Sequence, residues 1–201
     1  MTEHTDDDEP RGMMRSYGTL LGAPEPKDLL KPLILTLILV VLDQITKGII
    51  VRNVPLYYES GYMIEVLGDF FRIIHARNLG IAFSIGDGLP FWIRKLLFVL
   101  LPIAVILVLF FAFYSSRDIS QRQRWFVAAI LGGGVGNIID RIFRPLGVVD
   151  FLDVKFYGLF GLERWPTFNV ADASVVVGGI LLMVSMLFES RLPRQREEME
   201  R

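Results

Sequence analysis

Cysteine is absent from this chain, which excludes disulfides, thiolate zinc sites and a cysteine nucleophile together. Histidine is scarce: His4 and His75 are the whole supply, which leaves a histidine-ligated metal site or a Ser-His-Asp triad hard to build. The zinc-protease motif HExxH is missing, and so is a GxSxG serine with a histidine partner. A Ser84–Lys47 dyad is formally available but has no supporting motif. The net charge is −1, so no field of one sign draws the chain to nucleic acid. Aqueous catalytic chemistry here would have to run on Asp, Glu, Lys, Ser or Tyr, and no metal or other cofactor is expected.

Hydrophobicity is what the sequence has in quantity. Of 201 residues, 52% are hydrophobic, the mean hydropathy is +0.45, and the apolar residues fall in long blocks. Crossing a hydrocarbon core takes roughly 20 apolar residues in a helix. Windows 32–51, 91–114, 125–143 and 169–188 meet that need and predict four spans. Pro32 suits a first helical position, and Trp92, Tyr114, Trp125 and Trp165 lie near span ends, as an interfacial belt requires. Residues 1–31, acidic and rich in turn formers, read as a disordered tail rather than a signal peptide, since a basic start and a small-residue cleavage site are missing. Residues 189–201 form a charged tail.

An even number of spans puts both termini on one side. Lys and Arg divide almost evenly between the two sides, but the short, Arg-rich SSRDISQRQR favours the cytoplasm for that loop and both tails. Loops 53–90 and 144–168 then face outward. In the first, YMIEVLGDFFRIIHARN partly alternates apolar and polar residues, predicting a short β element at the membrane surface. The second, RPLGVVDFLDVKFYGLFGLERWPT, mixes aromatics with charges and reads as a partly helical interfacial segment.

Polar groups inside greasy windows are costly and face a bundle interior by default. LDQITKG places Asp43 and Lys47 four apart on one helix face, where a neutralising ion pair is the minimum reading. GGGVGNIIDR puts Gly132 and Gly136 at GxxxG spacing, suited to close helix approach. Asn137, Asp140 and Arg141 follow near one face, and an Asp140–Arg141 network would account for the last two. FNVADA starts a helix, with Asn169 as N-cap and Asp172 in the first turn, a position that capping alone would explain. Asp150, between Val149 and Phe151, has no such local reason. Together these side chains converge toward one membrane face as a candidate site.

In order and spacing, LDQITK, RNLGIAFS, GGGVGNIIDR with GVVDF, and FNVADA resemble the blocks of the bacterial lipoprotein signal peptidase (signal peptidase II) family, over about residues 30–190. The resemblance implies an α-helical integral membrane protein: a four-helix transmembrane bundle with a small extracytoplasmic β-cradle and an interfacial helical segment. It implies a multi-pass aspartic endopeptidase of the cytoplasmic (inner) membrane, both termini cytoplasmic and the active site near the extracytoplasmic face. Such an enzyme removes the signal peptide of prolipoproteins, cutting before the lipobox cysteine once that carries diacylglycerol. It implies Asp150 and Asp172 as the catalytic pair, and a substrate pocket of Asp43, Lys47, Asn78, Gly80, Asn137, Asp140 and Arg141, with Asn169 beside the dyad. Membrane lipids, a globomycin-type inhibitor and a monomeric state complete the expectation. The long acidic N-terminal tail is the one departure.

Two carboxylates within reach of one another share a proton, so one activates water while the other polarises the scissile carbonyl. The alternative class is an ion- or proton-coupled transporter, for which intramembrane Asp and Lys are also typical. Against it, the polar residues gather at one face, and 96–113 is nearly devoid of polar side chains. A non-catalytic lipid-binding subunit is a further alternative, and it would tolerate Asp172→Asn.

Overall fold

The computed structural model describes residues 26–79, 90, 92–93, 96–116 and 119–189. Four of its helices are long and apolar enough to cross a membrane. Helix α1 runs Pro26–Asn53, and a single turn, α2, follows at Tyr57–Ser60. A π-helical stretch, Leu96–Leu100, leads into α3, Leu101–Ser115. Pro102 lacks the N–H that would bond one α-turn back, which accounts for the widened turn before it. Helix α4 is Gln121–Phe143 and α5 is Val170–Glu189. Strands β1 (Ile64–Leu67), β2 (Phe71–Asn78) and β3 (Val148–Val154) form one antiparallel sheet in that order.

Three departures from the sequence reading have local causes. Helix α1 begins at Pro26, so Pro32 lies inside it, and the first six residues of the helix fall in the predicted tail. Helix α4 begins at Gln121, four residues before the predicted span, because Ser120 and Gln123 form a reciprocal capping box. Its start is held further by the buried Arg124, which donates to the Phe113 and Ser116 carbonyls. Finally, loop 144–168 carries a strand beside its helical part: VVDFLDV alternates with period two, and the helix is a 3-10 turn at Leu159–Gly161. The remainder of the acidic tail, the 190–201 tail, Gly80 and Ser84 lie outside the described residues.

Helix α4 is the hub. Its small residues let α1 and α5 close on it from two sides, as the GxxxG spacing predicts. A methyl group on Gly136 would sit 2.6 Å from Asp43 Oδ2, and one on Gly133 would collide with the Ala171 carbonyl of α5. Gly133→Ala is therefore expected to force the two helices apart at the start of α5, costing about 1–3 kcal/mol. Thermal unfolding in detergent measures the loss, and a melting temperature equal to the parent's contradicts this packing.

The buried apolar residues form one cluster at each end. Leu29, Phe113, Val127 and Leu131 pack together near the α3–α4 turn. Ile50, Val54, Val149 and Phe151 join the end of α1 to β3. The sheet is also tied to α1 by His75, whose Nδ1 donates to the Val54 carbonyl at 2.8 Å; burial pushes this imidazole's pKa down. The C-terminal ends of α1 and α4 and the start of α5 thus meet beside the sheet. The polar residues gather there.

Candidate active site

Asp150 stands on β3 opposite Ala76 and is only 4% exposed. Both of its oxygens accept amide hydrogens: Asn78 Nδ2 donates to Oδ2 at 3.1 Å and Asn169 Nδ2 to Oδ1 at 2.8 Å. Asp172 is half-buried in the first turn of α5. Its Oδ1 accepts from Asn137 Nδ2 at 2.7 Å and its Oδ2 from the Asn169 backbone N–H at 3.1 Å. The Asn169 side chain returns the favour, accepting the Asp172 N–H at 2.8 Å, so the predicted N-cap is present as a reciprocal box. Asn169 therefore bonds both acids. It is fully buried.

Burial pushes the Asp150 carboxyl up to about 7, and the nearby Asp172 charge adds to the rise, against the opposing pull of the Asn78 and Asn169 donors and of Lys47. Desolvation penalises the charged form, and a like charge nearby does the same. Around neutral pH Asp150 thus still carries, part of the time, a proton that an ordinary aspartate would have lost.

A second layer lies beneath the acids. Asp43, Lys47 and Asp140 are all 0% exposed. Lys47 Nζ is 2.9 Å from Asp43 Oδ2 and 3.2 Å from Asp140 Oδ2, and it donates to Asn137 Oδ1 at 2.9 Å. Each carboxylate then reaches backbone one residue ahead of an acid above. Asp43 accepts the Ala171 N–H at 3.0 Å, next to Asp172; Asp140 accepts the Val149 N–H at 3.1 Å, next to Asp150. One lysine thereby joins the strand that carries one acid to the helix start that carries the other.

The predicted residues divide accordingly. Asn78, Asn137 and Asn169 bond the two acids directly. Asp43, Lys47 and Asp140, expected to line the substrate pocket, have no exposed surface to offer it. The expected Asp140–Arg141 network is replaced by Asp140 with Lys47 and with Arg144, whose Nε lies 2.9 Å away. Consecutive helical residues point to different faces, whereas i and i+4 share one. Arg141 is instead placed so that the charges of Asp172, Asp150 and Asp140 act on its guanidinium. Gln44 was missed: its amide donates to Asp43, to Asp140 and to the Gly136 carbonyl, each at 3.1 Å. Its place inside LDQITK was the available signal.

Beside Asp172 lies an apolar cavity of about 360 Å³, walled by Val154, Phe156, Trp165 and Phe168 on one side and by Val176 and Val177 of α5 on the other. Val176 and Val177 are among the exposed apolar residues of α5, so this groove opens sideways from the bundle.

Comparison with known proteins agrees with these features. Residues 35–188 match the family described as signal peptidase (SPase) II. The lipoprotein signal peptidase of Treponema denticola is 45% identical over 163 residues, 81% of this chain and 92% of that protein. That of Borrelia duttonii is 49% identical over 160 residues, 80% and 91% of the two chains. A solved bacterial membrane enzyme superposes with a TM-score of 0.66 at 28% identity, covering 80% of this chain and 89% of its own. Nothing in these similarities supports a transporter. A match across all four spans, with relatives at this identity over most of their length, leads to one conclusion: the chain belongs to the signal peptidase II family.

Proposed function

We propose that Asp150 and Asp172 are the catalytic pair with which this peptidase removes the signal peptide of prolipoproteins. The observation that carries the assignment is Asn169, which bonds both carboxylates at once. Asp150, buried and shifted upward, holds the shared proton and donates to the scissile carbonyl. Asp172, at the mouth of the groove, is the ionised partner that takes a proton from the attacking water. The leaving amine is then protonated from the pair. Arg141, within electrostatic reach of both acids, guides a polar carbonyl of the substrate. Asp43, Lys47, Gln44 and Asp140 act from beneath by positioning the backbone on either side.

The substrate is a prolipoprotein whose lipobox cysteine already carries diacylglycerol, and the cut falls just before that cysteine. Its acyl chains stay in lipid beside the bundle while the peptide enters the polar site. The enzyme works as a monomer in the cytoplasmic membrane, with both termini and the Arg-rich α3–α4 turn in the cytoplasm. The sheet and the two acids, at the opposite end of the bundle, lie near the extracytoplasmic face. A globomycin-type inhibitor occupies the same site.

The test is direct. Purified protein in lipid is incubated with a diacylglyceryl-modified prolipoprotein and with its unmodified form. Cleavage of the first, leaving the lipidated cysteine N-terminal, is expected; no cleavage, or equal cleavage of both, overturns the reading. The pH dependence follows from Asp150. A carboxyl raised to about 7 keeps its proton below that value and loses it above. As pH rises past about 7 Asp150 loses its proton, and kcat/KM should fall about tenfold per pH unit. A rate that stays flat from pH 6 to 9 contradicts the shared proton.

A further inference from the structure

The groove beside Asp172 has a wall held from behind by charge. Strand alternation puts Asp150, Leu152, Val154 and Phe156 on one face and Asp153 and Lys155 on the other. The chain then returns through Leu162–Trp165, pairing Lys155 with Arg164. On the groove side the result is an aromatic pair, Phe156 and Trp165, with ring centroids 5.0 Å apart. On the opposite side is an ionic cluster. Asp153, 3% exposed, receives Arg164 Nε at 2.7 Å and Arg72 at 2.8 and 2.9 Å. Asp69 receives Arg164 Nη1 at 3.0 Å, Lys155 Nζ at 2.6 Å and Arg72 Nη1 at 3.2 Å. Every charged member of this cluster is one residue from a groove residue or anchors one that is.

We propose that Asp153 and Arg164 are positioning residues for substrate: their ion pair fixes the Phe156–Trp165 wall, and so sets how tightly the apolar part of the substrate beside the scissile bond is gripped. Neither touches the acids, and neither is part of the layer beneath them. Two features favour this over a merely structural role. Asp153 is buried with two guanidiniums rather than one, so the hairpin 154–165 is pinned both to its own return and to β2. The pinned segment is also short, and its tip needs left-handed backbone at Tyr157 and Phe160 (φ 52° and 56°), a conformation that costs non-glycine residues energy. Beyond the clamp, the outer face of the hairpin is held by Lys155, which lies over the Tyr157 ring and pairs with Asp69, and by Tyr157 stacked on Phe70. The inference rests on the catalytic reading of Asp150 and Asp172.

The experiment measures KM and kcat for the lipidated prolipoprotein with Arg164→Met, Arg164→Lys and Asp153→Asn. Arg164→Met should raise KM about tenfold while kcat at saturation stays within about twofold and the alkaline limb stays near pH 7. Arg164→Lys should recover part of the loss. A cysteine pair gives a test that survives misfolding of those variants. Phe156 N–H bonds the Glu163 carbonyl and Trp165 N–H the Val154 carbonyl, which makes Lys155 and Arg164 a non-hydrogen-bonded pair, the closer kind, suited to a disulfide. Because the chain has no native cysteine, Lys155→Cys with Arg164→Cys forms one defined crosslink. Oxidised, this variant should bind substrate as the parent does; reduced, it should show the raised KM. Equal KM in the two redox states, a fall confined to kcat, or a shifted pH limb overturns the proposal. Failure of the parent to cleave at all would instead sink the catalytic reading.

Discussion

Replacing Asp150 or Asp172 with asparagine should lower the cleavage rate by about a thousand-fold or more, while the protein still captures lipidated prolipoprotein. Asparagine keeps the size of the side chain but can neither take a proton from water nor give one to the leaving amine. The two substitutions should fail for different reasons. Asp172→Asn would remove the group proposed to activate water. Asp150→Asn would remove the proposed proton donor and leave an amide facing two amide donors, Asn78 and Asn169, so one of these bonds is lost as well. Single-turnover cleavage, with crosslinking or co-purification to measure capture, separates chemistry from binding. Cleavage at parental rate in either variant would remove that acid from the mechanism. A non-catalytic lipid-binding subunit is tested by the same pair, since it would tolerate both.

The largest loss of stability should come from Lys47→Met. The ammonium lies between two carboxylates that are fully buried, and methionine keeps the stem while deleting the charge. Asp43 and Asp140 would then face each other through Gln44 without a central cation, although Arg144 still reaches Asp140. Removing one partner of a buried ion pair typically costs about 3–5 kcal/mol. Activity should fall too, because Asn137 loses the donor that orients it toward Asp172. Chemical or thermal unfolding in detergent measures the first effect. Double substitution with Asp43→Asn should be less harmful than the sum of the singles, since it removes a stranded charge. Strict additivity would show that the three side chains do not act as one unit.

Much of this was legible in the residues. The four apolar blocks announce the spans because lipid demands continuous hydrophobicity. FNVADA announces a helix start because Asn followed three positions on by Asp satisfies exposed N–H groups. The helical part of the second outer loop is legible, but aromatics and charges in 155–165 hide the period-two run VVDFLDV just before them. The start of α4 was placed late because SxxQ, a capping signal, was outweighed by the polarity of QRQR. That Asp43, Lys47 and Asp140 face the bundle interior is legible; that they are sealed there is not. The depth of the two acids depends on their bonds to the Ala171 and Val149 N–H groups, and backbone partners carry no residue-type signature. For the same reason Arg144 could not be preferred over Arg141 from composition, only from helix geometry.

The sideways opening of the groove, between the aromatic hairpin and the exposed valines of α5, bears on turnover. On the catalytic assignment proposed above, a severed signal sequence, itself a greasy helix, would leave through that gap into the bilayer without crossing water. Its departure would then be a partition between two oily surroundings rather than a step of aqueous diffusion.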